Sequence, residues 1–302
     1  MTTSQRPRAA TLFAIGLWLG SAGAASGQEG EEKAKEGTRW FVRAEPFAPL
    51  IADPLETQIR GAIVSARLDL EGLEGADSSA VELFEGWNAQ AQVAIGYRQN
   101  VVQFQGETAS RPAIAIGFEA GVLSRFLLET SQRDFISADF RVGVPFQITW
   151  SGWEGRFEIV HMSSHFGDDL FDRLGIANTQ VTFDGLQLVA ARRLIPQLRL
   201  YVAGNFNFHT NPGVEKLAVQ WGLEWDKSEV DGDGHVFPLF AADFRLTDET
   251  ERVAGTALAG ATFRISSTRL QLALRGHFGP STIGKFRNFD EDFIGLNLRI
   301  VP

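Results

Sequence analysis

A succession of strand-like segments, each alternating apolar with polar residues, constrains the fold of this chain more than any other feature. Leu198, Leu200 and Val202 alternate with Arg199 and Tyr201. Because successive side chains of a β-strand point to opposite faces, each segment has one apolar face and one polar face. The polar faces carry charged residues, so the sequence predicts a sheet with one apolar face and one charged face.

About twelve such segments follow one another, and their lengths separate two architectures. The predicted strands cover 58–70, 90–105, 111–127, 134–149, 152–164, 181–193, 197–209, 216–226, 236–247, 252–266, 268–279 and 290–301. No segment predicts a long amphipathic helix. A soluble sheet buries its apolar face, whereas a transmembrane barrel turns that face to lipid. Many segments reach the roughly 9–11 residues that a tilted strand needs to cross a bilayer, which favours an all-β, antiparallel transmembrane barrel.

The predicted connections alternate between short and long. Tight turns are expected near 150–152, 194–197 and 266–268, and longer connections near 71–89, 165–180, 209–216 and 279–290. Short periplasmic turns and long outer loops are typical of outer-membrane barrels. A barrel of about twelve strands is narrower than the large aqueous channels, which usually take about 16 strands, so charged side chains are expected to plug its lumen.

The first residues have the features of an export signal. Arg6 and Arg8 precede an apolar run from Ala9 to Leu19, and small residues follow at Ser21–Ala25. This apolar run is shorter than the roughly 20 residues of a spanning helix. We therefore predict a signal peptide over 1–26, a linker and lead-in segment over 27–56, and the barrel over 57–302, in the outer membrane of a double-membraned bacterium.

Composition narrows the possible partners and chemistry. The formal net charge is −9, without a basic block beyond the N-terminus, so a nucleic-acid partner is not expected. There is no cysteine, which excludes disulfides, thiolate metal sites and a cysteine nucleophile. The expected partners are membrane lipids and the machinery that assembles outer-membrane proteins. The oligomeric state stays open.

The strand predicted over 152–164 ends in a group of reactive side chains. His161 and Ser163 lie two residues apart, on the apolar face that carries Phe157 and Ile159. Acyl transfer needs a hydroxyl, a neighbouring base and a third group that orients the base. Side chains two apart on a strand project side by side, so the spacing is compatible with a hydrogen bond between histidine and serine.

This His-x-Ser pair resembles that of the outer-membrane phospholipase A family and of the lipid A deacylases. Those families are barrels with the nucleophile and the base on the lipid-facing side. The resemblance implies that Ser163 is the nucleophile and His161 the base. It places the orienting residue about a dozen positions on, where Gly175 stands, so Asn178 is the candidate, with Asp184, Asp168, Asp169 and Asp172 as alternatives.

A broader resemblance covers most of the chain after the predicted signal peptide. The segments Phe47–Pro54, Ser137–Pro145, His161–Asp169 and Leu198–Gly204 are similar to signatures of an uncharacterised bacterial family of exported β proteins. That family has an H-x-S-S-H-L-G-D-[ED] segment, and here Phe166 replaces the leucine. The resemblance supports the architecture and marks Ser164, His165, Gly167, Asp168 and Asp169 as motif residues, without implying a reaction.

Three interpretations of the motif stay open. His161 and Ser163 can simply end a strand in the polar zone of the membrane surface, in a structural barrel or a narrow pore. They can form a lipid hydrolase. His161, His165, Asp168 and Asp169 can instead bind a divalent cation such as calcium or zinc, since they supply suitable nitrogen and oxygen ligands. No other cofactor is expected, and a soluble periplasmic binding barrel is the weaker alternative fold.

Overall fold

The computed structural model describes residues 37–42, 46–71, 77–105, 111–130, 133–168, 181–211, 214–229, 234–282 and 284–302. Thirteen strands and one α-helix are defined within these ranges. The strands are β1 Gly37–Val42, β2 Ile59–Leu68, β3 Asn88–Gln105, β4 Ala113–Leu127, β5 Phe135–Trp150, β6 Trp153–Phe166, β7 Val181–Ile195, β8 Leu198–Thr210, β9 Leu217–Asp226, β10 Val236–Thr247, β11 Val253–Ile265, β12 Thr268–Phe278 and β13 Glu291–Val301. The helix, α1, is Ser78–Glu85. The predicted signal peptide lies outside the described residues.

Strands β2–β13 close into a twelve-stranded antiparallel barrel. Each strand pairs with the next along the chain, and β13 pairs with β2 to complete the ring. The ends of all twelve strands lie within three residues of the predicted bounds. The predicted all-β barrel of about twelve strands is therefore confirmed, because alternation and turn residues determine strand limits locally.

Short and long connections emerge at opposite ends of the barrel, as predicted. β5 and β6 are joined through Ser151 and Gly152, which both have positive φ angles of 50° and 79°. Glycine adopts that conformation without the steric penalty of a side chain. β6 and β7 are joined at the other end by residues 167–180. No helix in the described ranges is long and apolar enough to span a membrane.

The inner face of the barrel wall is charged and the outer face is apolar, as predicted. On β6, Arg156 and Glu158 point inward and are at most 1% exposed, while Phe157 and Ile159 point outward and are 38% and 45% exposed. The same alternation runs along β5, where Phe140 and Val142 are outside and Asp139 and Arg141 are inside. An apolar exterior around an ionic interior is the arrangement of a barrel surrounded by lipid.

Helix α1 departs from the sequence prediction, which contained no helix. It lies in the connection between β2 and β3. At its N-terminus the backbone carbonyl of Asp77 accepts from the Val81 N–H at 3.0 Å. Phe84 packs in a buried cluster with Leu68, Leu127 and Phe286. An eight-residue helix is too short to be stable alone, so this packing, invisible in the local sequence, stabilises it.

Residues 46–58, which we call the lumenal strap, run inside the barrel. The predicted lead-in segment ends within it. The Phe47 N–H donates to Gln147 at 3.1 Å, the Arg199 guanidinium donates to the Ala48 carbonyl at 2.8 Å, and Thr57 donates to Glu119 at 2.8 Å. Phe47 and Leu50 are fully buried. The strap therefore occupies the lumen that the sequence predicted to be plugged by charges alone.

Ion pairs tie the strap to the wall. Glu56 of the strap accepts from Arg98 at 2.8 Å and from both Arg156 Nη1 at 2.5 Å and Arg156 Nη2 at 2.9 Å. On the wall, Arg141 donates to Glu119 at 2.7 Å and to Glu158 at 2.8 Å. Buried charges are tolerated only when they are paired and hydrogen-bonded, so strap and wall stabilise each other.

Candidate active site

The outer end of β6 carries the motif side chains alternately outside and inside the barrel. His161, Ser163 and His165 point outward, and Met162 and Ser164 point inward and are buried. This is the parity expected from the sequence. The outward side chains stand at the end of a row that is otherwise apolar, after Phe157 and Ile159.

The distance from the tight turn between β5 and β6 shows how far along the wall these side chains lie. Eight residues separate the exposed Trp153, at the turn, from His161, which corresponds to about 27 Å of strand at about 3.4 Å per residue. With a strand tilt of about 40°, His161 lies about 20 Å and Ser163 about 25 Å from the turn along the barrel axis. This distance is similar to the height of about 25 Å that the apolar band has in transmembrane barrels.

His161 forms a hydrogen bond to the neighbouring strand. Its Nδ1 lies 2.7 Å from Oδ1 of Asp184 on β7, and the two residues are direct cross-strand partners. Both side chains are partly exposed, at 48% and 40%. A carboxylate accepts only, so Nδ1 carries the proton and Nε2 is left as the basic nitrogen of the neutral ring.

The Ser163 hydroxyl contacts His165 and not His161. Ser163 Oγ lies 2.9 Å from His165 Nε2, and the His165 ring packs edge-on against Phe140 with centroids 5.7 Å apart. In the described part of the chain no hydrogen bond joins Ser163 to His161. The predicted nucleophile therefore has a histidine on each side of it along one face, and spacing alone could not decide between them.

Strand register determines which of the candidate acids lies beside His161. Asn178 and Asp169 lie outside the described residues, and Asp168 is exposed at the end of the strand. Asp184, which the sequence offered only as an alternative, reaches His161 because β6 and β7 pair without a bulge from Trp153 to Ser164. By alternation along β7, Asp184 falls on the outward face, and this is the sequence signal that could have identified Asp184 as the partner of His161.

Ser164 and Gly167 act on the inner side of the wall. Ser164 is fully buried beside Gly284, where an added Cβ would lie 1.8 Å from its Oγ. Gly167 donates its N–H to the Ile136 carbonyl at 2.9 Å, and a Cβ there would lie 1.8 Å from the Phe135 carbonyl oxygen. These two motif positions therefore fit the wall and the inner loop and do not face lipid.

The predicted metal ligands do not converge in the described ranges. No group of three or more histidine or acidic side chains is arranged there to hold a metal ion. His161 and His165 instead have separate partners, Asp184 and Ser163. With Asp169 outside the described residues, the divalent-cation interpretation stays a prediction.

Glu215, in the connection between β8 and β9 at the mouth of the barrel, pairs with strand β10 and with the connection between β12 and β13. It accepts from Arg245 at 3.0 Å and from Arg287 at 2.9 Å. Burial alone would raise the pKa of Glu215, but the Arg287 and Arg245 guanidinium groups outweigh it and hold the pKa below its ordinary value. The pairing therefore stabilises the mouth above the unfolded-state pKa, and this stabilisation is lost as the pH falls through the folded-state value.

We expect acid to loosen this mouth through Glu215. Limited proteolysis of the outer loops should be slow at pH 7 and faster at an acid pH well below the ordinary glutamate pKa of 4.5, because the protonated carboxyl no longer pairs with two arginines. Glu215→Gln should be cleaved readily at both pH values. Equal protection of the variant and the wild type at pH 7 would contradict this role.

Solved outer-membrane barrels share this fold. Outer membrane phospholipase A from Escherichia coli is similar with a TM-score of 0.53 and 11% identity, over 82% of this chain and 92% of that chain. The Salmonella typhi outer membrane phospholipase dimer with bound calcium is similar with a TM-score of 0.51 and 12% identity, over 82% of this chain and 94% of that chain. At such identities the likeness shows the fold alone.

Sequence comparison identifies one family. A family model described as "Protein of unknown function (DUF1207)" matches residues 30–300, which include the strap, the barrel strands and the motif. No curated protein matches the chain in sequence.

Proposed function

The chain belongs to the DUF1207 family, and we propose that it is an outer-membrane hydrolase that cleaves ester bonds of membrane lipids. One observation carries the proposal: a serine, two histidines and an aspartate form hydrogen-bonded pairs on the outward wall, at the edge of its apolar band. A lipid-facing wall has no structural need for such a group, and exposed polar side chains in hydrocarbon are costly. Reactive side chains at this level lie beside the ester groups of lipids.

In the proposed reaction Ser163 Oγ attacks the ester carbonyl carbon. Nε2 of His161 takes the hydroxyl proton, and Asp184 orients the ring and stabilises the imidazolium. Collapse of the tetrahedral intermediate breaks the bond to the alcohol, which leaves with the proton from His161. Water then attacks the acyl-serine with His161 again as base, which releases the fatty acid and restores Ser163.

We assign the base to His161, although Ser163 contacts His165 in this structure. Asp184 fixes the His161 ring with Nε2 available as acceptor, whereas His165 packs against Phe140 and has no carboxylate partner within the described residues. Ser163 lies between the two histidines on one face, so rotation about its Cα–Cβ bond turns the hydroxyl from one ring towards the other. His165 then holds the hydroxyl between turnovers.

The test is fatty-acid release from phospholipid micelles by the detergent-solubilised protein. His161→Ala should lower kcat by about 10²- to 10⁴-fold, because the general base is lost. His165→Ala should lower it by less than about tenfold, because only the resting contact is lost. The assay is run with Ca²⁺ and with EDTA, since a divalent cation remains a prediction.

A matched control is His235→Ala, an exposed histidine beside a turn at the periplasmic end. It should keep the wild-type rate. A larger loss for His165→Ala than for His161→Ala would move the base to His165. If all three variants keep the wild-type rate, the hydrolase proposal is wrong.

The proposal includes the location of the protein in the outer membrane and its partners there. The barrel fold and the outward apolar faces support insertion in the outer membrane of a bacterium, with lipids as the surrounding partner and the outer-membrane assembly machinery as the route of insertion. The predicted signal peptide would supply export.

A non-catalytic structural barrel is the second candidate, and the filled lumen favours it over a pore. The strap and the buried ion pairs between Glu56, Arg98 and Arg156 occupy the interior. In planar lipid bilayers the wild-type protein is therefore expected to give no stepwise conductance. Discrete conductance steps would contradict a closed lumen and support the pore.

A further inference from the structure

A small cavity lies inside the barrel between the strap and the wall formed by β2, β3, β4 and β5. Its volume is about 20 Å³, and its lining includes Arg60, Gln92, Arg125, Ser137, Asp139 and Thr282. A water molecule needs about 10–15 Å³ measured in this way. The cavity therefore has room for one small ion or one water, and not for a phosphate group.

Two buried donors of the cavity lining have no partner within the described residues. They are Nε of Arg60 and Nε2 of Gln92. Gln92 Oε1 accepts from Arg275 Nη1 at 3.0 Å, which fixes the amide orientation and leaves its NH₂ group as the free end. Since unsatisfied buried donors are costly, the cavity calls for an acceptor.

The charges around the cavity are also incompletely paired. Arg125 pairs with Glu291 and donates to Thr282 at 2.7 Å. Arg60 donates to the Pro54 carbonyl at 3.2 Å, and neither Arg60 nor Arg275 contacts a carboxylate among the described residues. Arg98, Arg141 and Arg156 of the same lumen each contact a glutamate.

Arg125 and Arg275 both contact the Phe293 ring. Their guanidinium carbons lie 5.9 Å and 5.0 Å from its centroid. A guanidinium stays protonated in proteins, so burial cannot be relieved by loss of the charge. Glu291 is the counter-charge of Arg125, whereas Arg275 contacts no carboxylate in the described ranges, so an anion nearby would reduce the excess of buried positive charge.

Asp139 is the carboxylate that lines the cavity, and it raises the alternative that a water molecule and not an ion occupies the cavity. Its Oδ2 accepts from the Gly284 N–H at 3.0 Å, and its Oδ1 is buried near the Ser164 side chain. A water could donate to Oδ1, but its second hydrogen would then face an environment of donors. An acceptor-only ion satisfies Arg60 and Gln92 together.

We propose that this cavity binds one monatomic anion, chloride under physiological conditions, held by Arg60 and the Gln92 amide with Arg125 beside it. The anion supplies the missing acceptor and part of the missing negative charge. It also stabilises the strap, because Arg60 bonds the strap at Pro54. This inference is independent of the proposed hydrolase activity.

Crystals of the detergent-solubilised protein grown in sodium bromide test the site directly. Anomalous diffraction at the bromine edge should show a peak in the cavity between Arg60 and Gln92. The peak should vanish in Arg60→Gln and persist in Arg67→Gln, a matched change on the same strand that affects an outward, half-exposed arginine. A wild-type cavity with density but no anomalous peak would identify a water and overturn the proposal.

A solution experiment covers the case in which Arg60→Gln fails to crystallise or to fold. The Tm of the wild type in sodium chloride should exceed that in sodium gluconate of equal ionic strength by about 2–4 °C. Gln92→Leu, which keeps all the arginines, should remove most of this difference, and Arg67→Gln should keep it. Equal Tm values of the wild type in both salts would overturn the proposal.

Discussion

Ser163→Ala is expected to abolish ester hydrolysis, with kcat/KM lowered by about 10³- to 10⁶-fold. The substitution removes the oxygen that forms the acyl bond, and His161 and Asp184 cannot replace it. Its effect on folding should be small, because the side chain is on the outer surface and its one bond is to His165. Fatty-acid release from phospholipid micelles measures the rate.

The adjacent serine provides a matched control. Ser164 is one residue further along β6 and is fully buried on the inner face, near Asp139 and Gly284. Ser164→Ala should therefore retain most of the activity. If both variants lose activity equally, the loss reports damage to the strand and not removal of a nucleophile.

Glu56→Ala is expected to lower the free energy of unfolding by about 3–5 kcal/mol, because it removes the carboxylate that pairs with the buried Arg156 guanidinium and one of the two that contact Arg98. Glu56 is 2% exposed, and Arg156 and Arg98 both bond its carboxylate. Urea-induced unfolding in detergent micelles, followed by tryptophan fluorescence, measures the change.

An exposed ion pair on the outer wall provides the comparison. Asp292 pairs with Arg67 at 2.6 Å, and their side chains are 35% and 52% exposed. Asp292→Ala should change the free energy of unfolding by less than about 1 kcal/mol. A small effect of Glu56→Ala, similar to that of Asp292→Ala, would show that the strap does not depend on these ion pairs.

The barrel itself could be predicted because its signal is local. Residues such as Phe157 and Ile159 alternate with Arg156 and Glu158, and this period of two fixes which side chains face lipid. Turn residues such as Gly152 fix where strands end. The inward and outward sides of the motif, with Ser163 outside and Ser164 inside, follow from the same rule.

The strap and the orienting acid could not be predicted with the same certainty, because their contacts are distant in sequence. Phe47 and Glu56 lie in a proline-containing stretch without periodicity, and their partners Gln147 and Arg156 are 100 residues away. The pairing of Asp184 with His161 depends on the register of β6 against β7, which a long connection leaves free in the sequence.

Covalent labelling tests most directly whether Ser163 is an activated nucleophile. The folded protein in detergent is treated with a long-chain alkyl fluorophosphonate, which forms a bond to serine oxygen with loss of fluoride, and the adduct is mapped by mass spectrometry. We expect an adduct at Ser163 in the wild type and in Ser164→Ala, and labelling slowed by at least about 10²-fold in His161→Ala. An unlabelled Ser163 in the folded wild-type protein would contradict its assignment as the nucleophile.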